Sequence, residues 1–185
     1  MTPLTSLWLP IVVAAVGVFI ASSIIHMATP WHHGDFKPMP DQARALDALR
    51  SFDIRPGDYV LPHPQSPKDA ASPEFAELAR RGPTVMMSVL PGQIVIAKNL
   101  VLWFVYCLVV ALCAAYIAGE ALPAGAALKK VFQFAGATAF IGFALAQWQQ
   151  TIWYSRSWVT TLKSTIDGFI YGLVTAGAFA WLWPQ

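Results

Sequence analysis

Apolar residues run along this chain in four long stretches, and polar residues dominate between them. Leu7–Met27, Leu100–Ala118, Val131–Ile152 and Thr165–Trp183 each approach the roughly 20 apolar residues that an α-helix needs to cross hydrocarbon. The second has an apolar lead-in, Ile94-Val95-Ile96-Ala97, and the fourth is the shortest. The first is read as a retained transmembrane helix. Its flank Met1–Ser6 lacks the positive residues of a secretory signal, and the run is longer than a signal core. Most of the tryptophans fall near the expected span ends, as an interfacial aromatic belt does.

The polar stretch Pro30–Gln93 keeps enough periodicity to predict structure. Asp41–Phe52 reads as a short amphipathic helix with Ala45, Leu46, Leu49 and Phe52 on one side. Ser72-Pro73-Glu74 opens a second helix: a capping hydroxyl, a proline at the first turn, and an acid at the positive dipole end. That helix is expected to end near Gly82. Tyr59–Leu61 and Thr84–Leu90 read as short extended pieces. The expected architecture is therefore all-α: a four-transmembrane-helix bundle with a small Pro-rich extramembrane cap. Helix 1 lies in residues 1–29, the cap in 30–93, and three further helices of the same bundle in 94–185.

Charge sharpens this picture. Only 12% of residues are charged, against about 25% in soluble domains. Sixteen of the 22 formally charged side chains lie between Asp35 and Lys98. A net charge of +2 with mixed signs gives no footprint for nucleic acid. The lipid bilayer is the expected environment. Four spans put both termini and the Gly119–Lys130 loop on one side, here side A. The cap and the Tyr154–Ser164 loop then share side B, whose larger share of Lys and Arg favours the cytoplasm. Cys107 and Cys113 sit six apart on one expected helix, face different ways, and read as packing thiols.

The polar residues in or beside the spans cluster toward side B. His26 lies in the last turn of the first span, Lys98 and Asn99 open the second, Gln150 closes the third, and Asp167 opens the fourth. Ionisable groups at membrane depth tend to face a protein interior or cavity, so these five are candidates for a polar pocket. The alternative is a headgroup position, with Lys98 snorkelling and Asp167 near a helix start. A Lys98–Asp167 ion pair fits either. His32, His33 and Asp35 follow the first span directly and are the candidate metal ligands, since imidazole and carboxylate suit transition metals. The spacing matches no metal motif, and four histidines are too few for a membrane desaturase. Glu-x-x-His, His-Glu-x-x-His, Gly-x-Ser-x-Gly and the Walker A pattern are all absent, so no catalytic residues and no particular cofactor are implied. No inverted repeat or broken helix is visible, as many transporters would show.

Small residues recur every three or four positions in two spans: Gly168, Gly172, Ala176 and Ala180 in the fourth, and Ala135, Ala139, Gly142 and Ala146 in the third. Such stripes let helix backbones approach closely.

Trp31-His32-His33-Gly34-Asp35 with Pro40-Asp41, Pro56-Gly57-Asp58-Tyr59, Ile166-Asp167-Gly168 and the closing Trp181-Leu182-Trp183-Pro184 resemble a family of bacterial multi-pass integral membrane proteins without an assigned function. The resemblance covers nearly the whole chain. It implies a bacterial inner-membrane protein and carries no catalytic residues with it. The leading expectation is a non-enzymatic subunit that binds or scaffolds a larger membrane complex, through other membrane chains or self-association. The alternatives are a binding or transport protein for a metal or small polar solute near His26 and Asp167, and a membrane enzyme with a surface His/Asp site.

Overall fold

The computed structural model describes residues 1–185 and shows four helices long and apolar enough to cross a membrane: Leu4–Ala28, Ile96–Ala121, Leu128–Tyr154 and Trp158–Leu182. In chain order the regular elements are α1 (Trp8–Ser23), α2 (Gln42–Ser51), β1 (Gly57–Leu61), α3 (Pro67–Ala70), α4 (Pro73–Arg81), β2 (Val85–Val89), α5 (Ile96–Ala121), α6 (Leu128–Phe140), α7 (Gln147–Tyr154) and α8 (Trp158–Leu182). They form two compact units, Met1–Lys37 with Ile96–Gln185, and Pro38–Val95. The fold is thus the expected all-α bundle with one small two-stranded sheet, although Pro30–Lys37 belongs with the helices.

In the bundle each span packs mainly on two others: α1 on α5 and α8, and α6 on α5 and α8. The core is built from small residues. Ala14, Ala15, Ala114, Ala115, Ala118, Ala135, Ala139 and Ala176 are fully buried. In lipid, apolar side chains gain nothing by leaving their solvent, so close van der Waals packing holds the helices together.

The stripe on α8 is spent inside this chain. A Cβ on Gly168 would lie 2.8 Å from the Ala144 Cβ, and one on Gly172 would lie 3.1 Å from the Gly136 carbonyl oxygen. Gly136 in turn faces the Ala176 Cβ at 2.9 Å. The third span therefore meets α8 through Gly136, Phe140 and Ala144. Of the stripe expected there, Ala135 and Ala139 are buried in the core, Gly142 packs on Val110 of α5, and Ala146 is exposed. On α8, Ala180 is half-buried.

Two boundaries differ from expectation. α8 begins at Trp158, so the fourth span has 25 residues and is not short. Thr160, Thr161, Lys163 and Ser164 lower its hydropathy, but they are helical, and Thr161 and Lys163 have partners inside the bundle. The third span, one helix of 27 residues, is irregular. A π-helical turn, Ile141–Leu145, separates α6 from α7, and the Tyr106 hydroxyl donates to the Gly142 carbonyl at 2.6 Å.

Both termini lie at one end of the bundle. Thr2 donates through its backbone N–H to the Gly119 carbonyl at 2.7 Å and through its hydroxyl to the Leu122 carbonyl at 2.8 Å. Gly125 N–H donates to the Pro184 carbonyl at 2.9 Å, and Trp183 Nε1 to the Pro123 carbonyl at 3.0 Å. Gly119 is required here, since a Cβ would stand 2.7 Å from the Thr2 carbonyl oxygen.

In the second unit the expected signals appear where the chemistry puts them. Asp41 caps α2, Ser72 caps α4, and Gly82 at φ 57° ends α4. β1 and β2 pair antiparallel from Gly57 opposite Val89 to Leu61 opposite Val85. No residue of Pro38–Val95 is fully buried, in keeping with the small core that so short a segment can build.

Candidate functional site

The polar cluster forms at the end of the bundle away from the termini. His26 sits in a π-helical turn, Ile24–Ala28, that continues α1. Side chains share the carbonyls of the turn and of the end of α1: Ser22 and Ser23 hydroxyls donate to Phe19, Thr29 donates to Ile25, and His26 Nδ1 lies 3.0 Å from the Ser22 carbonyl oxygen. Hydroxyl and imidazole groups that bond back to the helix in this way compete with its regular ladder. A carbonyl only accepts, so Nδ1 of His26 carries the proton and a neutral ring keeps its lone pair on Nε2.

The chain then turns back over the helices. His32 stacks on His26 with ring centroids 4.2 Å apart and an interplanar angle of 10°. His32 Nδ1 lies 2.6 Å from Asp35 Oδ2, and its Nε2 lies 2.8 Å from Asp167 Oδ2. Asp167 is buried within α8, about two and a half turns past Trp158. Trp31 Nε1 donates to its other oxygen at 3.1 Å. Lys163, one turn before Asp167, donates to Asp35 Oδ1 at 2.9 Å and lies 5.6 Å from the centre of the Trp31 ring.

The charges in this cluster do not close by themselves. Two carboxylates and one ammonium leave a single negative charge when both imidazoles are neutral. A proton on His32 or a bound cation would offset it. Burial pushes the Asp35 carboxyl up, but hydrogen bonds from His32 and Lys163, together with the Lys163 ammonium, outweigh burial and hold it below its ordinary value.

Beside the cluster lies a pocket of about 290 Å³, walled by all four spans. Ser22, Ser23, His26, Gln147, Ser164 and Asp167 supply its polar wall, and Leu100, Trp103 and Phe143 much of its apolar wall. Trp103 Nε1 donates to the Ser22 hydroxyl at 2.7 Å, fixing that corner. Tyr171, one turn after Asp167 on α8, also lines the pocket. Its hydroxyl is buried and has no hydrogen-bond partner. A wider apolar groove containing Ile25, Trp31, Ile166 and Ile170 reaches the other side of Asp167.

Of the five pocket candidates, His26 and Asp167 come together. Lys98, Asn99 and Gln150 are exposed and line neither pocket. Lys98 forms no ion pair, because the α5 start leaves its charge where water and headgroups solvate it cheaply. Asp167 pairs with His32, and it lies too deep in α8 to serve as a cap. Of the three metal candidates, His32 joins His26 and Asp167, Asp35 supports His32 from behind, and His33 is exposed. Gln147, one of the glutamines that close the third span, lines the pocket as the clustering of polar residues predicts, whereas Trp31, Lys163 and Tyr171 were not expected here. A signal for two of them exists in the sequence: Lys163, Asp167 and Tyr171 recur every four residues and so share a helix face.

No family model matches the chain, and no curated protein or solved structure was found to be similar to it.

Proposed function

We propose that this chain is a ligand-binding membrane protein that takes a small solute, with a polar head and an apolar body, into the pocket beside Asp167. The observation that carries this reading is the Tyr171 hydroxyl. A buried hydroxyl without a partner costs about 1–3 kcal/mol, and the residue that carries this one lines the cavity. A ligand that bonds it recovers that cost. The division of the wall into a polar and an apolar part supports an amphiphilic occupant. The packed, alanine-rich interior toward the other end makes the pocket blind, which favours binding over conduction. The subunit reading loses one of its supports, because the small-residue stripe on α8 is occupied within the chain. The exposed apolar flanks that remain are covered equally well by lipid. A bacterial inner membrane is the location implied by the family resemblance.

Native mass spectrometry of protein purified in mild detergent tests the proposal. The wild type should carry a small-molecule adduct, and Tyr171→Phe should carry less of it while remaining folded. A wild type free of adducts, whose melting temperature does not respond to membrane lipid extract or to a mixture of polar metabolites, would sink the reading.

A further inference from the structure

We propose that His26, His32 and Asp167 bind one divalent transition-metal ion of the zinc class at the polar edge of the pocket. One ligand atom from each of the three residues lies within 4.8 Å of the others. They come from the end of the first span, the segment after it, and the middle of α8, so the fold alone brings them together.

Convergence is joined by a second feature, the fixing of both rings from behind. A histidine that ligates a metal commonly donates its other N–H to a carboxylate or a backbone carbonyl. His32 does the first, toward Asp35, and His26 does the second, toward Ser22. This leaves Nε2 of His26 with a free lone pair, while Nε2 of His32 faces Asp167 Oδ2 at 2.8 Å and would give up its proton to admit the ion. Trp31 occupies one oxygen of Asp167, leaving the other to face His32 Nε2. Lys163 pairs with Asp35 and not with the three ligands, so no ammonium competes for the position. A metal cation would also offset the uncompensated negative charge of the cluster.

Two imidazoles and a carboxylate suit zinc, iron, cobalt or nickel, whereas calcium and magnesium prefer oxygen ligands alone. Metal–ligand distances of about 2.0–2.1 Å in a tetrahedral site place ligand atoms about 3.3 Å apart. His32 Nε2 and Asp167 Oδ2 are 2.8 Å apart, so accepting the ion requires them to separate by about half an ångström. Three protein ligands leave a fourth position open. Because His26 and Asp167 also line the pocket, that position is available to water or to the polar head of a pocket ligand. This last point, and only this one, rests on the pocket reading.

Titration of chelator-treated, detergent-purified protein with Co²⁺, followed by the visible absorption of the bound ion and by Zn²⁺ displacement, tests the site. One Co²⁺ per chain is expected, displaced by one Zn²⁺. His26→Ala, His32→Ala and Asp167→Asn should each weaken Co²⁺ at least tenfold, and Asp35→Asn about 10- to 100-fold. His33→Ala and His63→Ala should leave it unchanged. His26 is exposed, so its variant keeps the fold, and a melting curve confirms this for the others. Featureless titration of the wild type, or binding unaltered by His26→Ala, overturns the assignment in favour of a proton on His32. Metal binding without any pocket adduct upholds the metal site and removes the pocket reading. A Tyr171-dependent adduct without metal binding does the reverse.

Discussion

The two ends of the helix bundle are built on opposite terms. At the end that holds the termini, polar groups tie the chain ends to the loop between the second and third spans. Thr2 bonds Gly119 and Leu122, Trp183 bonds Pro123, and Leu7, Ala115 and Ala118 fill the interior. Its polar contacts are neutral, and most use backbone groups. At the other end, ionisable side chains are gathered in one place, a pocket is left beside them, and one hydroxyl goes unpartnered. Irregular backbone is concentrated there too: the π-helical turn Ile24–Ala28 supplies His26 and Met27 to the pocket, and the turn Ile141–Leu145 supplies Phe143. Charge and empty volume are both costly at membrane depth. The buried ionisable groups and the pocket both lie at the open end, whereas Glu120, Lys129 and Lys130 near the closed end are exposed, so it is the open end that holds groups a ligand can complete.

Substitutions can break this contrast or sharpen it. The largest effect is expected from Gly168→Leu, which should destabilise the whole bundle by about 3 kcal/mol through overpacking. Its new atoms would meet the Ala144 backbone as well as its side chain, with the nearest contact at 2.8 Å, so both ends should fail together in thermal melting. Asp167→Ala comes next. It strips the acceptor from Trp31 and His32 and should cost roughly 1–3 kcal/mol while abolishing Co²⁺ binding. Normal Co²⁺ binding by that variant would contradict the importance given to the open end. Thr2→Val and Trp183→Phe each remove one hydrogen bond at the closed end, at about 1 kcal/mol apiece, and should leave Co²⁺ affinity unaltered. A change in that affinity would show the two ends to be coupled. The smallest and most discriminating effect is that of Tyr171→Phe. Removal of an unpartnered buried hydroxyl should raise the melting temperature of the ligand-free protein slightly, by less than about 1 kcal/mol in stability, because the small void left by the oxygen offsets most of the gain, even as adduct occupancy falls. A loss of stability would mean that the hydroxyl has a structural partner.

Much of the architecture could be read from the chain. Apolar runs of membrane length, the helix starts at Asp41 and Ser72, and the glycine stop at Gly82 all rest on local rules, and the structure carries each of them. The site was legible only in part. His26, His32, Asp35 and Asp167 stand out because titratable groups are scarce near spans. Lys98 and Gln150 satisfied the same depth criterion and yet lie outside the cluster, because depth fixes height along a helix and leaves azimuth open. The start of α8 was hidden for a related reason. Its first turns look too polar for a span, and they are polar because Lys163 and Ser164 serve the site and Thr161 meets Thr151 on α7.

By itself, the sequence determined that this chain has four helices long and apolar enough to cross a membrane, because hydrocarbon demands long, sparsely charged helices and the chain supplies four. It also determined where small residues allow close approach. Only the tertiary structure decided which helix fills each approach, since Gly136, Phe140 and Ala144 turn out to be the residues that meet Gly172, Ala176 and Gly168 of α8. Only it could bring His32 of one segment between Asp35 and Asp167 of another, for that contact depends on how the chain folds back after the first span and on the rotation of α8. Periodicity along one helix carries no information about either.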